Sequence, residues 1–365
     1  MFHDNKQQLL LIPVLFLVFL TTFFFGLNPK GYRLINQVEW LKSKNSLLLK
    51  NIGIVYSEKT LGALGIDSSV QIEITLQPFA TSRKLSRIIT VIDDNGDDII
   101  TVDQWINGIE ISVWETGSGE RAARAGALNI VSAESIRTFS VTADNREMNL
   151  FVGDSLRAHR KMTKNSMPLR FGNGRLLIGC TPTGKCCWQG ELTYLSVQAW
   201  RQPPPENART ERPGQQQYMK TGNTAEAAVA SATFNFASIK NGVVRERTDN
   251  GWNLTIPRYF RIFRHEILTF SKASGKLLHS ASDILVNFFG FIPLGFCLSL
   301  FLGGKRKAVQ VLFPVLITAL TISLTIELLQ VFIPTRSSQL ADVLLNGAGA
   351  CAGAALTRIR RIGRL

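Results

Sequence analysis

The chain is poor in the groups that most catalytic and metal sites are built from. It has four histidines and five cysteines in 365 residues. No Ser-His or Cys-His pair presents itself for nucleophilic catalysis. Cys180, Cys186 and Cys187 lack a fourth ligand at metal-like spacing, which argues against zinc, and no cofactor is implied. Acidic residues are also short, 27 against 41 Lys and Arg, giving a net charge of +14. Much of that excess sits in short runs, Lys305 to Lys307 and Arg358 to Arg364, beside apolar stretches rather than in one patch. No nucleic-acid reading module accompanies it, so nucleic acid is not an expected partner. Long apolar runs are missing from the middle of the chain, which is polar and mixed.

The ends carry what the middle lacks. Apolar residues concentrate at 9–27, 284–302, 309–333 and 343–356. About 20 such residues cross a hydrocarbon core of roughly 30 Å as a helix, so the first three stretches suffice and the fourth spans with snorkelling ends or local thinning. The positive-inside rule assigns both basic runs to the cytoplasm, which places the C terminus there and the middle of the chain outside. Lys30, Arg33, Lys42 and Lys44 oppose that orientation but are outvoted by the later spans. The first stretch reads as an uncleaved anchor, because its apolar run is longer than a signal-peptide core and no clean small-x-small site follows. An oxidising exterior then permits one disulfide among the three clustered cysteines, Cys180 with Cys186 or with Cys187.

From Val70 to Trp200 the pattern is short alternating runs, such as Val70-Gln-Ile-Glu-Ile-Thr-Leu and Ile109-Glu-Ile-Ser-Val-Trp, broken by turn signals such as Asp94-Asn-Gly. Such spacing predicts an antiparallel β-sandwich. The segment Arg137 to Asp154, with Leu176-Leu-Ile-Gly and Gly190 to Trp200, resembles the laminin-G-like, concanavalin-A-like jelly-roll family. A domain is expected over 61–269, with its core at 66–201, an exposed loop at 202–220 and completing strands at 232–257. That resemblance implies a lectin-like fold but not an activity. Glu110-Ile-Ser-Val-Trp-Glu115 resembles the catalytic strand of family-16 glucanases, yet Ser112 replaces the assisting Asp. Binding without cleavage is therefore the expectation. Asp93, Asp94, Asp97 and Asp98 read as an acidic turn before a calcium site.

The C-terminal stretches bear polar residues at helical spacing: Asp283 and Asn287, Glu327 and Gln330, then Arg336, Asp342 and Asn346. Each pair at i, i+3 or i+4 shares one helix face. Ionisable groups within spans are costly and mark candidate sites. This ordered set resembles the VanZ-like family of bacterial membrane proteins, over 282–356. The resemblance implies a bacterial inner-membrane, multi-pass envelope protein, and its namesake is associated with teicoplanin resistance. Asp283, Asn287, Glu327, Gln330, Asp342 and Asn346 are expected to fall in the outer leaflet, with Arg336 in the outer loop coupled to Glu327 and Asp342. They serve either as glue between helices, whose close approach Gly349-x-x-x-Gly353 allows, or as a site for an envelope ligand. The expected partners are an envelope glycan or a lipid-linked precursor, together with membrane lipids; the oligomeric state is not legible. The competing class is an enzyme on such a glycan, using Glu327 and Asp342 or Glu110 and Glu115.

Overall fold

A computed structural model of the chain describes residues 2–27, 33–80, 82–115, 119–133, 135–162, 169–199, 231–247, 251–269, 281–303, 307–334, 336 and 338–362. The chain divides into two compact units. One is all-β, Leu34–Arg264; the other is helical and joins Met1–Arg33 to His265–Leu365.

The β unit is a two-sheet antiparallel sandwich of jelly-roll type. Its eight-stranded sheet runs in the order β1 (Val38–Leu41), β2 (Ser46–Leu49), β13 (Gly190–Ala199), β4 (Ser69–Pro78), β9 (Arg137–Asp144), β10 (Glu147–Val152) and β11 (Ser155–Lys161). One edge of β13 is shared: Gly190 to Leu192 pair with β2, and Leu195 to Gln198 pair with β14 (Ser231–Phe234). The nine-stranded sheet runs β15 (Ile239–Lys240), β16 (Val243–Val244), β17 (Leu254–Thr255), β3 (Val55–Ser57), β12 (Arg175–Ile178), β5 (Ser82–Ile92), β6 (Asp98–Ile106), β7 (Gly108–Trp114) and β8 (Arg121–Ala127).

Alternation decides which face is buried. Ile100 and Val102 on β6, with Ile109, Ile111 and Val113 on β7, point into the core beside Phe139, Phe171, Trp188 and Trp252. The buried indoles are satisfied, Trp188 Nε1 donating to Gln104 Oε1 at 2.7 Å and Trp252 Nε1 to the Thr60 carbonyl at 2.9 Å.

The strands begin at Val38, well ahead of the expected start at 61, because β1 and β2 extend one sheet beyond β13 and β3 sits between β17 and β12 in the other. The unit ends at Arg264 rather than 269. Strands β14 to β17 extend both sheets of the sandwich and build no second core. The expected loop at 202–220 lies outside the described residues. Cys180 is bonded to Cys187, with Cα atoms 4.0 Å apart, and Cys186 is a free, exposed thiol. The acidic turn is a turn: Asp93 Oδ1 accepts from the backbone N–H of Asn95 and Asp97, while Asp97 and Asp98 pair with Arg264 and Arg87.

The helical unit holds α1 (Phe2–Leu27), α2 (Ala281–Gly303), α3 (Ala308–Gln330) and α4 (Leu340–Ile362). Among the described residues, three helices are long and apolar enough to cross a membrane, over Ile284–Gly303, Ala308–Gln330 and Leu340–Thr357. The apolar stretch Leu11–Leu27 is shorter. The last helix outruns the expected 343–356 at both ends, and α3 stops before the expected 333.

Parallel helices α2 and α4 approach until backbone meets backbone. A Cβ on Gly295 would strike the Ala350 carbonyl, one on Gly349 the Phe288 carbonyl, and one on Gly353 the Ile292 carbonyl. A turn or two further on, Ser299 Oγ and Thr357 Oγ1 share a buried hydrogen bond at 2.7 Å. Helix α3 runs the other way, packing Val311, Val315, Ala319 and Ile322 into the same core, against which Leu15, Val18 and Phe23 of α1 also lie.

Candidate functional site

Chain direction in the bundle gathers the polar residues at one end. The ends of α1 and α3 meet there, Gln330 Nε2 donating to the Gly26 carbonyl at 2.7 Å. The starts of α2 and α4 lie at that end too, because α4 is antiparallel to α3 and parallel to α2.

Glu327 is 2% exposed and accepts from the backbone N–H of Gln339 at 2.7 Å, just before α4. A carboxylate there satisfies one of the orphan donors at a helix start and complements the helix dipole. Ser338 faces the same carboxylate, while Arg336 and Asp342 act on it through their charge. Asn346 Nδ2 donates to Ser323 Oγ at 2.8 Å, locking α4 to α3, and its buried Oδ1 has no hydrogen-bond partner among the described residues.

The seven candidate residues therefore divide among several contacts. Glu327, Arg336 and Asp342 are electrostatic neighbours, yet among the described residues Arg336 meets Glu327 through charge and not through a bond. Gln330 turns to α1 and Asn346 to Ser323. Asn287 is half-buried on α2, and Asp283 sits in that helix's first turn with its side chain outside the described residues. Ser323 was not expected, because nothing in a serine within an apolar run signals its partner 23 residues away.

A second constellation lies on the outer face of the nine-stranded sheet. There Thr101 and Asp103 on β6 and Glu110 and Ser112 on β7 are all buried, although they point away from the core. Arg87 on β5 joins this row, donating from Nε to Asp103 Oδ1 at 2.6 Å and from Nη1 to Asp98 Oδ1 at 3.0 Å. Burial pushes the Asp103 carboxyl above its ordinary range, opposed by the Arg87 charge, and the two aspartates hold Arg87 protonated more firmly than usual.

Toward the free edge, Arg124 on β8 is ion-paired with Glu110. The pair borders a groove of about 340 Å³ lined by Trp105, Glu110, Arg124, Gly126 and Leu128 among others. Trp105 stays 40% exposed. The turn beside it is strained: Ile106 has φ 55°, a region that β-branched residues rarely adopt. Strain of that kind gathers at binding sites. A side chain on Gly126 would crowd the Ile109 carbonyl, so the groove is kept open by the glycine. Glu110, the first carboxylate of the glucanase-like strand, is thus committed to Arg124, and Glu115 follows the end of β7. No group of three or more His, Cys, Asp or Glu able to hold a metal occurs among the described residues.

These features define a β-sandwich protein carrying apolar helices fit to cross a membrane. Residues 225–361 match the VanZ/LLP1 family, so the C-terminal part of the chain is a VanZ-like domain. The match takes in β14 to β17 as well as α2 to α4. No curated protein matches the chain.

Among solved structures, the carbohydrate-binding module CBM40 of the Ruminococcus gnavus IT-sialidase bound to α2,6-sialyllactose is 14% identical, with a TM-score of 0.33, covering 40% of this chain and 84% of that one. The same module bound to α2,3-sialyllactose gives 14%, 0.32, 37% and 78%. The SAP-like pentraxin of Limulus polyphemus gives 12%, 0.31, 40% and 68%. Likenesses at that level carry no argument about a ligand. The sandwich is established by its own strand pairing.

Proposed function

We propose that this protein is a multi-pass envelope protein that holds a glycan, or the glycan part of a lipid-linked precursor, on the outer face of its β unit without cleaving it. The groove beside Trp105 carries this reading. A sugar ring offers an apolar C–H face, which stacks on an exposed indole, and hydroxyls, which suit a fixed carboxylate–guanidinium pair. Trp105, Glu110 and Arg124 supply both around one glycine floor. Glu110 acts here as an orienting acceptor, fixed by Arg124, rather than as a nucleophile. The polar end of the bundle, by contrast, spends its visible hydrogen bonds on helix junctions, which supports a structural role for Glu327 and Asn346.

The test is binding of neutral envelope-type oligosaccharides to the full-length protein in a neutral detergent. Trp105→Ala is expected to weaken binding about tenfold, the loss of roughly 1.4 kcal/mol of stacking. Release of reducing ends, abolished by Glu110→Gln, would replace this reading with the enzymatic one. Glycopeptide tolerance, which the VanZ resemblance brings with it, is a separate question answered by teicoplanin susceptibility of cells expressing the wild type or Trp105→Ala.

A further inference from the structure

The sandwich closes on one side where the last strand of each sheet runs alongside the other, β8 from one and β11 from the other. A cleft of about 700 Å³ opens there, lined by Arg121, Arg124, His159, Arg160, Lys161 and Met162, with Ala122 and Ala123 between the arginines. It holds four permanent cations and no carboxylate in its lining. Several of its groups are held in place before any ligand arrives. The Arg121 guanidinium lies over the Trp114 ring at 4.8 Å, Arg124 is paired with Glu110, and His159 Nδ1 is 2.8 Å from Asn149 Oδ1. Arg160 and Lys161 are exposed and make no ion pair with another described residue. Arg160 stands opposite Met148, a core residue, and so leans over the open side toward β8.

Arg160 and Lys161 bring uncompensated charge beside Arg121 and Arg124, a repulsion that a bound anion would relieve. Guanidinium groups fixed in advance are suited to two-point recognition of carboxylate or phosphate. Arg124 lines this cleft and also the Trp105 groove, so the two adjoin at that side chain.

We infer that the cleft between β8 and β11 is an anion subsite continuous with the Trp105 groove, so that the ligand is an acidic glycan bearing carboxylate or phosphate groups. This rests on the glycan reading of that groove. One sugar ring stacks on Trp105 while an acidic group further along the same chain enters the cleft, and Arg124 contacts both. The spacing of acid and ring within one polymer, rather than charge alone, sets the preference.

The experiment uses the full-length protein in nanodiscs of uncharged phosphatidylcholine, titrated with an oligogalacturonate, a neutral oligogalactan of equal length and polyglutamate. The oligogalacturonate is expected to bind about tenfold more tightly than the galactan. That margin should shrink as salt screens the exposed charges. The double change Arg160→Gln, Lys161→Gln should remove the margin and leave galactan binding within about twofold, while Trp105→Ala weakens both sugars.

Equal affinity for the two sugars would overturn the acidic subsite and leave the glycan reading standing. Polyglutamate binding as tightly as oligogalacturonate would reduce the cleft to unspecific electrostatics and overturn it as well. Binding of neither sugar would defeat the glycan reading, and the subsite with it. A phosphodiester-linked glycan outcompeting the galacturonate would keep the subsite and identify phosphate as the preferred acid.

Discussion

At the scale of single residues, the outer face of the nine-stranded sheet shows how a polar row survives out of water. Arg87 has a side-chain exposure of 6% and Asp103 of 3%, so each is tolerable only because of the other. Arg87→Met would leave Asp103 and Asp98 without their cation, at a cost of about 3–5 kcal/mol. The sign of its pH dependence follows from burial, which already raises the Asp103 carboxyl and would raise it further without the guanidinium. A folded-state value above the unfolded one means the native state binds more protons across that window. Stability therefore falls as pH rises from about 4, the unfolded carboxylate range, through the raised folded value. The Arg87→Met deficit should be larger at pH 8 than at pH 5 in thermal unfolding of the detergent-solubilised protein. A deficit that does not change with pH would show that Asp103 is not the group left stranded.

At the scale of elements, helix α4 is apolar but small, and its glycines govern how it packs. Gly349 and Gly353 face the backbone of α2, where no side chain can move aside. Gly349→Ala is expected to cost about 1–3 kcal/mol, as overpacking does. Gly290→Ala meets nothing within 4 Å and should be neutral or gain up to about 1 kcal/mol from helix propensity. Equal effects of the two substitutions on detergent stability would refute the close α2–α4 contact.

The Gly349-x-x-x-Gly353 spacing was legible in the sequence, because periodicity along one helix is local information. So were the antiparallel sandwich and the apolar helices. Strands β1 to β3 were missed ahead of residue 61, since short strands such as Ser46–Leu49 owe their identity to β13, more than 140 residues later. For the same reason the sequence pointed at Glu110 but not at Arg124, Trp105 or the β8–β11 cleft, whose members meet only when two sheets close. Helical spacing put Gln330 and Glu327 on one face, but their separate partners, Gly26 and Gln339, come from neighbouring segments that spacing along one helix does not reveal.

At the scale of the whole molecule, chain order and charge give an expected orientation in a membrane. The segment 34–264 leaves after α1 and returns before α2, and the end of α1 and the start of α2 lie at the same end of the bundle as Glu327. At the opposite end α2 finishes and α3 starts, with Lys305 to Lys307 between them in the sequence, and the last turns of α4 carry Arg358 to Arg361. Six basic residues against none acidic in those two short segments outweigh, on the positive-inside rule, the four cations that follow α1. The expected arrangement is thus β unit outside and C terminus in the cytoplasm, which also suits the Cys180–Cys187 disulfide, since oxidised pairs persist outside the cytoplasm. A reporter active only in the periplasm should work when inserted near Gly214 and fail when fused after Leu365. Reversing the balance, with Lys305, Arg306 and Lys307 changed to Gln, should make part of the population report from the other side. If the unaltered protein shows the opposite pattern, the β unit lies in the cytoplasm, and the groove beside Trp105 loses access to envelope glycans altogether.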